Sequence, residues 1–292
     1  FPDLVQRYSA ARATASSLLN EEMKKELADK ERQNERTGSS FEERLAEIEK
    51  ADEEGKLKDS MILGLLTWGD KTEEQFKQLE PWLEKITDEP ARKESINYFW
   101  FLRSKLAIKE NRLDDAQRHA AKVPEMEHRA ILLFEIAELK LKDVNDAASV
   151  YQMLNEIGKT TRQLENSPAK ARVLLGLANL YEQFNHTFAL DELSDAVKVV
   201  NRLENPDMLS TSLYRRIAIK DYSFSAGFGM PKYDLERTFR AISKNDFDMG
   251  LSNARALEDK FYRTLAVIAV AQNCIDRPKP KTGKQKAAAS LD

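Results

Sequence analysis

The sequence predicts an all-α protein, an α-solenoid of about six antiparallel helix-pair repeats. Three observations carry that expectation. An apolar phrase recurs, opening at Arg129, Lys170, Ser210 and Arg263, so that successive copies start 41, 40 and 53 residues apart. A second match spans a whole helix pair without a gap. Residues 111–116 compare with 245–250, sharing Asn111 with Asn245 and Asp114 with Asp248, and the same offset of 134 takes Ala120 to Ala254, Arg129 to Arg263 and Ala137 to Ala271. Glycine and proline, 10 and 9 in 292 residues, are too few for a fold rich in β-turns.

The elements are read here in chain order. Residues 1–37 read as an N-terminal helical cap or the remnant of another repeat, with Leu4, Tyr8, Ala11, Ala15 and Leu18 on one stripe. The repeats occupy 38–276. First helices of pairs are expected at 41–53 and 73–86, where Ser40 with Glu43 and Thr72 with Gln75 have capping-box spacing. Their second helices contain 60–66 and 94–100. In the clearest phrase Ala130, Leu133, Phe134, Ala137 and Leu141 recur three and four apart, one face of an α-helix. Pro90, Pro124, Pro168 and Pro206 mark the turn between paired helices, with Ser167-Pro168 and Asn205-Pro206 read as N-cap and first helical residue.

Asp114 and Asp248 fall in a helix's first turn, and Arg129 and Arg263 beside the end of the preceding helix, where each charge suits the helix dipole. Their expected role is structural. The predicted buried set is Leu133, Phe134, Ala137, Leu174, Leu177, Ala178, Ile217, Ala218, Val267 and Ala271. The continuous run of Tyr98, Phe99, Trp100 and Phe101 demands either a helix buried on several sides or a contact surface. Residues 277–292, with Pro278, Pro280 and several lysines, read as a disordered basic tail.

Composition narrows the function. Charged residues are 33% and apolar residues 41%, which suits narrow helices exposing one face each. A net charge of −3 gives no reason to expect nucleic acid as a partner. No apolar run approaches the ~18 residues of a membrane span. Compartment stays open between the cytoplasm and export behind a removed leader, since the first residues are Phe1-Pro2. The single cysteine, Cys274, excludes an intrachain disulfide and reads as a buried, inert thiol. His119, His128 and His186 lack metal-ligand spacing, and neither a phosphate-binding glycine loop nor a nucleophile elbow is present. No metal or cofactor is expected.

The longest spacing comes from an irregular insertion near 220–234. Gly227, Gly229 and Pro231 break the helix there, yet Tyr222, Phe224, Phe228 and Met230 are apolar for a plain loop. These four are the candidate partner-binding residues. The alternative is that Phe224 and Phe228 plug the groove between adjacent units.

Paired helices of this period, with small residues at helix contacts and proline at a turn, resemble the tetratricopeptide and HEAT-like α-solenoid superfamily over about residues 41–275. The resemblance is one of architecture, because Trp68-Gly69 and Pro124 do not fall into the tetratricopeptide register. It implies binding of a protein or peptide along a helical-repeat surface. The expected function is therefore a non-catalytic interaction scaffold. The alternative is a helical-superstructure enzyme, of hydrolase or lyase type, using groove carboxylates.

Overall fold

The computed structural model describes residues 40–142, 146–210 and 212–275. The expectations for residues 1–37 and 277–292 lie outside that set. The chain is mainly α, at 69% helix, with twelve α-helices and one two-stranded hairpin among the described residues. It divides into two compact units between Gly69 and Asp70.

In the first unit, α1 (Phe41–Glu53) packs against α2 (Asp59–Thr67). The Ser40–Glu43 capping box is formed in both directions, and the Arg44 guanidinium lies 5.1 Å from the Trp68 ring centre.

The second unit opens with α3 (Glu73–Leu83), which starts on the reciprocal Thr72–Gln75 box. Then come α4 (Glu89–Lys109), α5 (Leu113–Ala120), α6 (Met126–Lys140), α7 (Ala147–Gln163), α8 (Pro168–Tyr181) and α9 (His186–Val200). Pro90 sits in the first turn of α4 behind the Asp88 cap, and Pro168 opens α8 behind Ser167. The missing proline N–H costs nothing in a first turn.

Helix α4 explains its own aromatic run. All four rings are buried, and between them they pack on three different elements and on His128. Tyr98 meets Phe224, Phe99 meets Phe76 of α3, Trp100 stacks on His119 of α5, and Phe101 meets Phe228 and His128. Helix α8 is buried continuously from Val173 to Tyr181, and it contacts α6, α7, α9 and a later helix. A helix apolar on all sides belongs at a centre. Gly176 lets it approach α6, since a Cβ there would collide with the Phe134 ring.

The third copy of the apolar phrase is not helical. Residues 212–219 form strand β1 (Ser212–Ile219), paired antiparallel with β2 (Tyr222–Gly229) across the two-residue connection Lys220-Asp221. The expected all-α fold is corrected accordingly, and the insertion is a strand instead of an irregular loop. Leu213, Arg215 and Ile217 are buried while Tyr214, Arg216 and Ala218 are exposed, the alternation of a half-covered strand. Pro206 starts no helix, for its carbonyl accepts from Met208 N–H at 3.0 Å in a turn.

A 3₁₀ turn (Pro231–Tyr233) then leads to α10 (Leu235–Ser243), α11 (Phe247–Arg255) and α12 (Lys260–Ile275), which pack on one another. The pair α11–α12 shares contacts with α5–α6 at the offset of 134 residues. Arg129 donates from Nε to the Val123 carbonyl at 2.7 Å, and Arg263 from Nη1 to the Leu257 carbonyl at 3.3 Å. Donor and acceptor are both displaced by the same 134 residues. Asp114 and Asp248 each stand in a helix's first turn.

Burial departs from expectation at several positions. Leu133 and Val267 are half-buried, Ala218 is exposed by the strand alternation, and Ala271 and Cys274 are exposed on α12.

Candidate functional site

The four candidate residues all lie on β2 or just after it. Strand alternation sends Tyr222, Phe224, Ala226 and Phe228 to the half-buried face of the hairpin and Ser223, Ser225, Gly227 and Gly229 to the exposed face. Phe224 packs on Tyr98 at 5.3 Å between ring centres, and Phe228 on Phe101 at 4.5 Å. Both rings therefore face α4. Met230 is buried.

At the middle of the hairpin, Arg215 is pressed onto the helices, and only 3% of it is exposed. Its guanidinium reaches Glu94 Oε2 of α4 at 3.3 Å and Glu125 Oε2, at the start of α6, at 2.8 Å. Asn97 Nδ2 donates to the other Glu125 oxygen at 2.9 Å, and the Phe101 ring lies beneath the cation. A buried cation that meets two carboxylates retains its charge. Burial raises the Glu94 carboxyl above its ordinary value, and the nearby Glu125 adds to the effect. Burial, with Arg215 adding repulsion, pushes His128 down to about 4, so the imidazole is neutral at pH 7. Neither ring nitrogen of His128 has a hydrogen-bond partner among the described residues. Sequence reading missed this cluster, because Glu94 and Arg215 lie far in the chain from each other and from Glu125 and His128, and the four share no motif.

The outer face of the hairpin is open. Tyr214 is 73% exposed, its ring lying over Gly227 of the paired strand, and Arg216 stands exposed opposite Ser225. The sheet has two strands, so both outer edges carry backbone groups that no third described strand takes up.

Where β2 runs into α10, a cleft of about 460 Å³ opens. Gly229, Met230 and Pro231 form one side, with Asp234, Glu236, Arg237 and Arg240 on the other. Asp234 caps α10 by accepting from Arg237 N–H at 2.6 Å. The Arg237 and Arg240 guanidinium groups, one turn apart, form no ion pair among the described residues. Arg103 stands 134 residues before Arg237 and is satisfied by Glu73 and Glu80 of α3, at 2.5 and 2.9 Å. The hairpin precedes α10 where α3 precedes α4, and it brings no equivalent carboxylate.

No protein-family model, curated protein or solved structure matches this chain.

Among the described residues, no group of three His, Cys, Asp or Glu side chains is placed to hold a metal ion. Likewise, no described helix is long and apolar enough to cross a membrane.

Proposed function

We propose that the chain is a non-catalytic scaffold, an α-solenoid of helix pairs that binds a protein or peptide partner at the hairpin. The observation that carries this reading is the hairpin itself, a two-stranded sheet clamped on one face, exposed on the other, and paired at neither edge with a third described strand. An extended peptide can add to such an edge through main-chain hydrogen bonds, with side-chain contacts supplying specificity. Tyr214 and Arg216 would meet the partner. Phe224, Phe228 and Tyr222 serve the same site from beneath, by holding the strand on α4. The cleft beside Met230 would receive an acidic side chain, since Arg237 lacks the carboxylates that occupy Arg103. The repeated Arg129 and Arg263 contacts support the repeat architecture.

The enzyme reading has one observation in its favour, a raised Glu94 carboxyl close to a neutral His128. Against it, Arg215 pairs with both Glu94 and Glu125, and the cluster lines neither the cleft beside Met230 nor the one beside Glu135 and Glu138.

A photoreactive phenylalanine analogue at position 214 tests the scaffold reading, with position 248 on α11 as the control. Crosslinking of one discrete partner from 214, reduced by Arg237→Glu with Arg240→Glu, is the expected result. Equal crosslinking from both positions, or no response to the double variant, would remove the hairpin from the binding site.

A further inference from the structure

The two edges of the hairpin are not alike. Ile219 and Tyr222 flank the two-residue connection, so they share hydrogen bonds across it, and every second pair does the same. On β2 the backbone N–H and C=O groups of Ser223, Ser225, Gly227 and Gly229 therefore turn outward. On β1 those of Ser212, Tyr214, Arg216 and Ala218 do. The β1 edge is already guarded. Its backbone lies the closer of the two to α4, and the Ser212 carbonyl accepts from the Ser210 hydroxyl at 3.0 Å. Tyr214 and Arg216 add bulk and charge along it.

The β2 edge has none of the devices that protect a free edge. In a chain that is 33% charged, Tyr222–Gly229 carries no charge and no proline. Its register against β1 is unbroken, so no bulge twists it away. The outward residues are serine and glycine, whose small side chains leave the backbone groups reachable. No third described strand pairs with them.

The end of that edge is chemically marked. Pro231 has no N–H, so pairing along β2 stops after Gly229. The cleft of about 460 Å³ opens at that point, with Arg237 and Arg240 in its wall. Asp234 and Glu236 share the wall, but among the described residues neither forms an ion pair with those guanidinium groups. Asp234 accepts from the Arg237 backbone N–H instead. A carboxylate arriving along the edge meets two guanidinium groups with free donors.

We propose that the segment bound at the hairpin is an extended peptide paired antiparallel with the β2 edge, in which an acidic residue directly precedes an uncharged run. This rests on the scaffold reading above. An antiparallel strand starts where β2 ends, so its first residue enters the cleft and carries the carboxylate to Arg237 and Arg240. The run that follows lies against serine and glycine, where a charged side chain finds no opposite charge along β2. The antiparallel ladder is also the more stable per residue.

Fluorescence anisotropy of the full chain with two labelled peptides tests the order. Both are acetylated and amidated. One begins with glutamate and continues in alternating valine and threonine, and the other has the same residues in reverse. The glutamate-first peptide is expected to bind roughly 10-fold more tightly. Ser225→Pro removes an outward N–H and leaves the hairpin's own ladder whole, and it should weaken that binding by roughly 10-fold or more. Ala218→Pro, outward on the other edge, should leave it unchanged. Equal affinity for the two orders overturns the proposal, as does binding that survives Ser225→Pro or that Ala218→Pro removes equally. A chain whose β2 edges pair with each other, seen in sedimentation as a dimer that Ser225→Pro dissolves, overturns it as well. If neither peptide binds while position 214 still captures its partner, the proposal falls and the scaffold reading stands.

Discussion

Helices α5–α6 and α11–α12 correspond in sequence at an offset of 134 residues, and they differ most on the outer face of the second helix. In the first, Ala130, Phe134 and Ala137 of α6 are all buried, and the Phe134 ring fills the space above Gly176 of α8. In the second, α12 presents Thr264, Ile268 and Ala271, and all three are exposed. Inside the pair the two agree, down to an arginine donating to a carbonyl six residues earlier. The lesson is that the pair's internal packing is local, whereas burial of its outer face is decided by the next element. A residue's position in the repeat specifies its direction and leaves its exposure to the neighbour.

The largest expected contrast is between Phe134 and Ile268. Phe134→Ala should cost about 3–5 kcal/mol in denaturant unfolding, as a buried ring lost from a packed site. Ile268→Ala, measured on dilute protein, should stay within about 0.5 kcal/mol. Similar costs at both would mean that the face of α12 is covered.

The next contrast is one of pH. His128 is matched at the offset by Tyr262, whose hydroxyl accepts from Met208 N–H at 3.3 Å. Folded His128 refuses a proton until about pH 4, whereas the unfolded side chain takes one near 6.5. Between those values the unfolded state binds more protons, so stability falls as pH falls from 6.5 to 4. The loss should reach at most ~3 kcal/mol. The raised carboxyls of Glu94 and Glu192 act in the opposite sense, since the folded state takes their protons first. His128→Phe should therefore flatten the acid limb of urea unfolding measured as a series in pH. A parallel acid limb in the variant would show that His128 is not the group responsible.

Smaller effects test the close approaches. Gly176→Ala should cost about 1–3 kcal/mol because the Phe134 ring must move. Gly250→Ala should cost about 1 kcal/mol net, since its Cβ would lie 2.6 Å from the Ser243 Cβ and the overpacking outweighs the gain in helix propensity. Ala116 holds an alanine at the equivalent place. The smallest contrast is between the paired arginines. Arg129→Ala loses bonds to two carbonyls and should cost ~1 kcal/mol, while Arg263→Ala loses one long bond and should cost ~0.5 kcal/mol. Thermal melts of the two variants would rank them.

Much of the helical plan was legible because its signals are local. Ser40 with Glu43, Thr72 with Gln75, and Ser167 with Pro168 each mark a helix start by chemistry within four residues. Residues 210–218 misled for a physical reason. On so short a stretch the apolar Leu213, Ile217 and Ala218 suit a helical face, while Leu213 and Ile217 with Arg215 between them suit a strand as well. A buried arginine at the middle of that alternation disguised the period of two. Tyr222, Phe224, Phe228 and Met230 stand out as apolar residues in a glycine-broken stretch, but their direction depends on a strand that sequence reading missed. Ala271 was expected inside by its match to Ala137, and Cys274 by its apolar neighbours Ala271 and Ile275, and both expectations fail where no further described helix covers them. The cluster of Arg215, Glu94, Glu125 and His128 exists only through tertiary contact.

That cluster also has a consequence for the order of folding. Arg215 reaches Glu94 across 121 residues and Glu125 across 90, and the Tyr233 hydroxyl reaches the Glu127 carbonyl across 106. Helices α4 to α6 meet through contacts near in sequence, whereas hairpin docking must close a very long loop. Loop closure of that kind is slow and late. Arg215→Met should accordingly speed unfolding while leaving the folding rate almost unchanged, a φ-value near zero. The hairpin would thus be the last element to arrive and the first to leave, and the native lifetime of the described fold would be set at Arg215.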